Sequence, residues 1–439
     1  MLPAPAPKEY AYAELPGGSI RLLHLLPDEK DGHSIQCQLF NYPIQNTGER
    51  ASLYEALSYC WGNSDKPNRI SIGDRYLPIT ASLYAALLRL RDRFIGRVMW
   101  VDAICINQAD VEERGHQVRS MAEIYSKANR VVVWLGEAEA HDHDTFKAIL
   151  AAGDKSSNLP GEKHEAIHAL LNRPWFRRIW VLQEVAAARN VRIMCGSAEV
   201  DGYGFCLGLE ALPGMQDRTS SVTYLMKRSV FRPQYKIDLA GRVSLDICPL
   251  GGLIDMYHTR EATDPRDKVF ALLGMSSDDS SIIEAAGLSP DYGILWEELW
   301  KRLVKFILGG QTSVSAWPDR ETAVIEGKGC VLGVVSSADE ESVCVTPKTL
   351  LLPKEWASQP SVKPVRAGDL VCLLQGAPRP MIIRPREDHF SAIILSVTAL
   401  GSIKTENGGR GRLQHTLPSS LYEFLLIWTW GAELLWSRP

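Results

Sequence analysis

The sequence lacks the features that mark nucleic-acid-binding, disulfide-bonded and secreted proteins. It has no basic tract, and its formal net charge is −4, so we expect neither nucleic acid nor an anionic membrane as its main partner. The nine cysteines are dispersed and include no CxxC pair, which is typical of reduced thiols rather than of a disulfide framework or a cysteine zinc site. No charged and then apolar leader opens the chain, so we expect a cytoplasmic protein.

Long apolar runs are also missing. An apolar segment near the end, residues 421–436, carries Glu423 and Glu433 and is too short to span a bilayer. We expect it to dock on the body of the protein, with a position in a membrane interface as the alternative. The composition is otherwise that of a globular protein, 45% hydrophobic and 23% charged, and 439 residues are enough for two or three domains.

Residues 51–196 alternate between short apolar runs and stretches with helical spacing. The runs that read as strands are 56–59, 98–101, 131–135 and 191–195. The run at 131–135 is apolar on both faces, as expected of a central strand in a parallel sheet. Strands that alternate with helices in this way predict an α/β domain with a doubly wound parallel sheet.

Beyond this region the pattern changes twice, first to mostly helical spacing and then to a period of two between glycine and proline turns. The second change predicts a small antiparallel β unit. The predicted organisation is a lead-in at 1–50, an α/β domain at 51–210, a helical region at 211–310, a small β domain at 311–400 and an apolar tail of uncertain structure at 401–439.

The most informative segment is 100–108, Trp-Val-Asp-Ala-Ile-Cys-Ile-Asn-Gln. An apolar run ends there on Asp102, and a helix is expected to open at Asp110, with Glu113 placed to complete a capping box. A strand that ends in polar residues just before a helix N-terminus is where open α/β sheets place their ligand sites.

A second loop, after the first strand, carries Tyr59 and Trp61. If both strands are parallel, this loop and the one with Asp102 and Asn107 emerge at the same edge of the sheet and line one crevice. The alternative is structural: Asp102 and Asn107 bond the backbone of their own loop, and Trp61 closes the edge of the core. Cys105 is expected to be an inert buried thiol rather than a nucleophile.

Two helical motifs offer further chemistry. The first, His164-Glu165-Ala-Ile-His168, matches HExxH, in which histidines at i and i+4 hold zinc and the glutamate acts as a base. The alternative is a pair of half-exposed histidines on a surface helix, and no metal site is predicted.

In the second motif, Trp180 and Glu184 are four residues apart and share a helix face, which suits a ligand with a flat ring and a sugar. The alternative is a solvated glutamate that pairs with Arg177 or Arg178.

Several segments resemble, in order, the heterokaryon-incompatibility (HET) domain of fungal proteins. They are 54–62, 100–108 with Glu113 and Arg114, 121–125, 131–136 and 178–184. Segments 263–274, 290–292 and 367–371 resemble parts that follow the domain in longer members, whereas the tail after Ile394 does not resemble the family's usual ending.

The HET family in turn resembles TIR domains, flavodoxin-like signalling modules of which some cleave NAD at the nicotinamide–ribose bond. In those enzymes a glutamate follows a tryptophan by four residues on a late helix, as Glu184 follows Trp180 here, and 57–59 resembles their Ser-Tyr motif. The resemblance implies that Glu184 is catalytic and that NAD is a substrate, with no further cofactor. The residues implied in substrate binding are Ser58, Tyr59, Trp61, Asp102, Asn107 and Trp180.

The resemblance thus predicts a protein of non-self recognition and regulated cell death that cleaves NAD and is switched on by self-association and a protein trigger. The first alternative is a non-catalytic module that signals by assembly alone. The second is a zinc hydrolase that uses His164 and His168.

Overall fold

A computed structural model describes residues 8–28, 34–44, 54–139, 141–154, 161–212, 216–229, 235–237, 242–317, 321–338, 343–346, 349–350, 363–397 and 421–430. The chain divides into two compact units, the first made of residues 1–237 and 243–245, the second of residues 238–242 and 246–439. The domain boundaries drawn from the sequence stay predictions, and most of the tail at 401–439 lies outside the described residues.

The first unit contains a ten-stranded sheet and a two-stranded ribbon. Its strands are β1 (Lys8–Glu9), β2 (Ser19–Leu25), β3 (Gln36–Pro43), β4 (Glu55–Tyr59), β5 (Asn68–Ile72), β6 (Arg75–Ile79), β7 (Arg97–Trp100), β8 (Val131–Trp134), β9 (Val191–Cys195), β10 (Ala198–Asp201), β11 (Lys236–Ile237) and β12 (Val243–Ser244). Its helices are α1 (Ala81–Leu90), α2 (Asp102–Cys105), α3 (Val111–Arg119), α4 (Met121–Lys127), α5 (Asp142–Asp154), α6 (Gly161–Leu171), α7 (Trp180–Ala187), α8 (Gly202–Glu210) and α9 (Gln216–Ser229), with a 3-10 turn at Pro174–Arg177.

Four parallel strands form the middle of the large sheet, in the order β7-β4-β8-β9. Counted along the chain from β4, this order is 2-1-3-4, which is the flavodoxin-like arrangement. All four residues of β8 are buried, because helices cover a central parallel strand on both faces. The predicted α/β fold with its parallel sheet is confirmed.

The sheet extends beyond these four strands through antiparallel pairs that the sequence patterns do not reveal. The hairpin of β2 and β3 joins at β7, and β10 adds to β9. Residues predicted only as a lead-in thus supply three strands of the sheet, β1, β2 and β3. The strand β2 is hidden in the sequence because Arg21 interrupts its apolar pattern. Arg21 is buried in the strand and pairs with Glu113.

The observed start of α3 agrees only in part with the capping box predicted from the sequence. Asp110 caps α3, since its Oδ1 accepts from the N–H groups of Glu112 and Glu113 at 3.0 Å. The second half of the expected capping box is wrong: the Glu113 carboxylate accepts from the N–H of Asn107 and from Arg21 instead. Between α6 and β9 the chain forms two short helical elements, the 3-10 turn and α7.

Within its described residues, the second unit has four helices and a small, mainly antiparallel β unit, and this β unit was predicted. The helices are α10 (Leu250–Tyr257), α11 (Asp267–Leu273), α12 (Ser280–Ala285) and α13 (Trp296–Leu308). The strands are β13 (Ser313–Trp317), β14 (Thr322–Ala338), β15 (Val343–Thr346), β16 (Thr349–Leu350), β17 (Leu370–Leu374), β18 (Met381–Pro385), β19 (Phe390–Ile394) and β20 (Tyr422–Thr429).

Strand β20 comes from the apolar tail. It pairs with β14 and β19, so that β14, β17, β18, β19 and β20 close into a ring. Phe424, Leu426 and Trp428 alternate along β20 and are buried, as one face of a strand should be. Among the helices of the described segments, none is long and apolar enough to cross a bilayer.

Candidate functional site

The end of β4 and the middle of α7 meet at one buried hydrogen-bond chain. The Ser58 hydroxyl donates to Oε2 of Glu184, and the indole N–H of Trp175 donates to Ser58 Oγ at 2.8 Å. An indole N–H is only a donor, so Ser58 accepts from Trp175 and turns its own hydrogen towards the carboxylate. Glu184 is 2% exposed and Ser58 1%. The carboxylate is therefore held in one orientation inside the protein.

Arg178 is the cation of this site. Its Nη1 donates to the backbone oxygen of Tyr59 at 2.5 Å and lies 3.9 Å from Oε1 of Glu184. The side chain of Arg178 is 20% exposed, whereas that of Glu184 is enclosed. The glutamate thus pairs with Arg178, as the structural alternative expected, but it is not solvated, so that part of the alternative is wrong.

Burial raises the pKa of Glu184 to about 7, against the opposing effects of Arg178 and the Ser58 hydrogen bond. Burial also raises the pKa of Asp102, although Arg178, the Trp61 indole and the N–H of Ala103 favour its charged form. A carboxyl group with a pKa near 7 exchanges a proton at neutral pH, which is the condition for general acid–base work.

The loops after β4 and β7 meet, as the parallel arrangement predicts. The indole N–H of Trp61 donates to Oδ2 of Asp102 at 2.9 Å, and Trp61 is 39% exposed. Gly62, next to it, has a φ of 72°, which allows the chain to turn there. Asp102 also accepts from the N–H of Ala103 at 2.7 Å, so it bonds its own loop as well. Asp102 therefore joins the two loops and also bonds its own loop.

Other predicted site residues are placed differently. Asn107 accepts from the N–H of Ala109 at 3.3 Å and stays within its own turn, as the structural alternative expected. Trp180 is half-buried at the start of α7, and no hydrogen bond or ring pair joins its side chain to another described residue. Tyr59 is buried, and its hydroxyl has no hydrogen-bond partner within the described ranges. Such an orphaned hydroxyl costs about 1–3 kcal/mol, which a ligand would recover.

The HExxH histidines lie on α6, and Glu165 between them is exposed. Over the described stretches of the chain, no group of three His, Cys, Asp or Glu side chains is placed to hold a metal ion. Zinc hydrolysis therefore lacks its third ligand among these residues. Cys105 is buried, as expected, and burial raises the pKa of its thiol to about 12.

Two residues of the site were not predicted as parts of it. Arg178 was considered only as a surface partner of Glu184. Trp175 was missed altogether. The available signal is Pro174, which favours the first position of a helical turn and so indicates that Trp175 lies in that turn. No spacing rule connects Trp175 with Ser58, because they are 117 residues apart.

Comparison with known proteins gives a family match inside the first unit. Residues 54–184 match the family model described as heterokaryon incompatibility protein (HET). "Heterokaryon incompatibility protein 6, OR allele" of Neurospora crassa is 27% identical, over 63% of this chain and 49% of the relative. The chain thus spans about half the length of that relative. No solved structure matches the chain. The chain contains a HET domain, and the matched region begins just before β4 and ends on Glu184.

Proposed function

We propose that this HET-domain chain acts in non-self recognition and regulated cell death in the cytoplasm, and that it hydrolyses NAD through Glu184. The observation that carries the proposal is the position of this buried carboxyl. In a flavodoxin-like sheet, ligands bind at the carboxyl ends of the strands, where the order reverses between the first and third strands. Here those strands are β4 and β8, and Glu184 bonds Ser58 near the end of β4.

The reaction needs few groups. When the C–N bond between ribose and nicotinamide breaks, its electron pair goes to the ring nitrogen, so the cationic ring leaves as neutral nicotinamide without a general acid. The ionised Glu184 faces the positive charge that develops on the ribose and hydrogen-bonds its hydroxyls. Water then adds to the ribose carbon and gives its proton to Glu184, which releases it to solvent. A pKa of about 7 suits both protonation states.

Neighbouring side chains have supporting roles in this proposal. Ser58, held by Trp175, orients the carboxylate. Tyr59 offers NAD the hydroxyl that lacks a partner within the described segments. Trp61 or Trp180 stacks on the nicotinamide ring, and NAD is a substrate rather than a cofactor.

In this arrangement NAD has no access to the Glu184 carboxylate, because the side chain is almost entirely enclosed. NAD reaches the carboxylate when Arg178 and the Trp61–Asp102 pair move aside. The bond from the half-exposed Trp61 contributes only about 1 kcal/mol, so a modest interaction could open it. We propose that self-association, started by a protein trigger, supplies that interaction.

The test follows the release of nicotinamide from NAD by chromatography, with dilute protein and with protein assembled at high concentration, as checked by light scattering. We expect assembled wild type to release nicotinamide, and Glu184→Gln to release it about 100-fold more slowly. Glu165→Gln, at an exposed glutamate of the same unit, is the matched control and should keep the wild-type rate. Equal rates in wild type and Glu184→Gln, or intact NAD with assembled wild type, would overturn the proposal.

A second candidate is a HET domain that signals by assembly without catalysis. It is favoured by the enclosure of Glu184, whose hydrogen bond and ion pair also suit a structural role. In that case assembled wild type leaves NAD intact, and Glu184→Gln changes the assembly seen by light scattering.

A further inference from the structure

A cavity opens at the other edge of the central sheet, at the amino ends of the parallel strands. Its volume is about 450 Å³, within the range of small-molecule sites. Val98, Val132 and Met194 supply apolar lining. Arg97, Arg130 and Arg192 supply three guanidinium groups. Each of these arginines lies within one residue of the start of a parallel strand, so the cavity is separate from the Glu184 site.

One carboxylate holds two of the arginines. Arg97 donates to Oε2 of Glu55 through Nε at 2.8 Å and Nη2 at 2.6 Å, and its Nη1 donates to the backbone oxygen of Leu90. The Nε of Arg130 lies 2.8 Å from Oε1 of Glu55. Both oxygens of Glu55 are therefore engaged, and three of the five N–H groups of Arg97 are used.

Arg130 and Arg192 each keep one edge open. The nitrogen nearest a carboxylate is Nε in both: Arg130 faces Glu55 at 2.8 Å and Arg192 faces Glu199 at 3.2 Å. Their terminal nitrogens make no hydrogen bond with any residue that the structure describes. The guanidinium fork can bind a protein carboxylate on one side and present two N–H groups to a second anion on the other.

The carboxylates of the lining limit what fits. Glu55 is occupied, and Asp92 accepts from the N–H groups of Phe94 and Ile95, which lowers the pKa of Asp92 and keeps it charged. Glu199 adds another negative charge at the cavity. A polyanion would meet these carboxylates, whereas a single compact anionic group can reach the two open guanidinium edges and leave its apolar part over Met194.

We propose that this cavity binds a small organic anion, a carboxylate or phosphate monoester that carries an apolar ring. The two arginine edges take the anionic group, and Val98, Val132 and Met194 take the ring. This site does not depend on NAD cleavage, because its three arginines lie at the amino ends of the parallel strands, whereas Glu184 bonds Ser58 near the carboxyl end of β4.

Titration calorimetry of the full chain tests the proposal with phenyl phosphate and benzoate as probes. Inorganic phosphate, which lacks the ring, and phenol, which lacks the charge, are the matched probes. We expect one or both ring-bearing anions to bind at least about tenfold more tightly than either matched probe. Binding of phenyl phosphate alone assigns the site to phosphate esters, and binding of benzoate alone assigns it to carboxylates.

The variant Arg130→Gln/Arg192→Gln should bind about 10- to 100-fold more weakly, and Arg130→Lys should be intermediate, because lysine keeps the charge but loses the fork. Lys66→Gln, which removes an exposed charge from the same unit, should bind as wild type does. Circular dichroism confirms that each variant is folded. If wild type binds neither anion, or if folded Arg130→Gln/Arg192→Gln binds as tightly as wild type, the proposal is wrong.

Discussion

The two edges of the central sheet each hold a glutamate beside an arginine, and the two glutamates are compensated differently. At the amino edge, Glu55 has guanidinium nitrogens within 2.8 Å on both of its oxygens. At the carboxyl edge, Glu184 has one guanidinium nitrogen at 3.9 Å and a serine hydroxyl, and it is more deeply buried. A carboxylate whose negative charge is balanced by close cations is a structural anchor. A buried carboxylate whose charge is poorly balanced keeps its proton to near neutral pH and is suited to acid–base chemistry.

The largest expected effect is the pH dependence contributed by Glu184. Burial raises the pKa of Glu184 from 4.5 to about 7, so the folded state holds a proton that the unfolded state releases in this range. The contribution to the free energy of unfolding is fully present below about pH 4.5 and is lost as the pH rises through about 7. Its size is about 3 kcal/mol.

In Glu184→Gln this pH-dependent loss should vanish. The free energy of unfolding of the variant should therefore rise by about 3 kcal/mol relative to that of wild type between pH 4.5 and pH 8. Urea unfolding of both proteins at several pH values measures the difference. A difference that stays constant with pH would show that Glu184 is compensated as well as Glu55 is.

At the amino edge, we expect a substitution of the glutamate to lower the free energy of unfolding instead of raising it. Glu55→Gln leaves Arg97 and Arg130 side by side without their shared carboxylate, and the free energy of unfolding should fall by about 2 kcal/mol. This figure is below that of a fully buried pair, because both arginines are partly exposed. Urea unfolding at pH 8 compares it directly with Glu184→Gln. If both substitutions stabilise the protein, the distinction between an anchor and a site fails.

The strands of the parallel core could be predicted from the sequence, but neither set of charged residues could be located by pattern. Runs such as 131–135 are apolar throughout, and strand–helix alternation indicates a parallel sheet. The same logic correctly brings Trp61 and Asp102 to one edge. By contrast, Ser58 and Glu184 are 126 residues apart, and no local rule pairs them. Resemblance to a family singled out Glu184, while its burial and its bond to Ser58 emerge only when the chain is folded.

The charged residues at the amino edge are even harder to place from the sequence. Glu55, Arg97 and Arg130 are ordinary charged residues in sequence, and each alone is typical of a solvated surface. They meet because β4, β7 and β8 are parallel and begin within a few residues of the same level. A sequence pattern shows which strands exist, but which charges meet at their starts depends on the register between strands.

The smallest expected effect concerns the entrance of the carboxyl edge. Trp61→Phe removes the N–H that donates to Asp102 and keeps an aromatic ring. Because Trp61 is half-exposed, the free energy of unfolding should change by less than about 1 kcal/mol. The pKa of Asp102 should rise further, since the Trp61 hydrogen bond favours its charged form. Carboxyl NMR titration of wild type and Trp61→Phe measures that rise, and Trp317→Phe, at an exposed tryptophan of the second unit, is the control. A pKa of Asp102 that does not move in Trp61→Phe would mean that the indole does not control this carboxylate, and the entrance would then have to be sought at Arg178 alone.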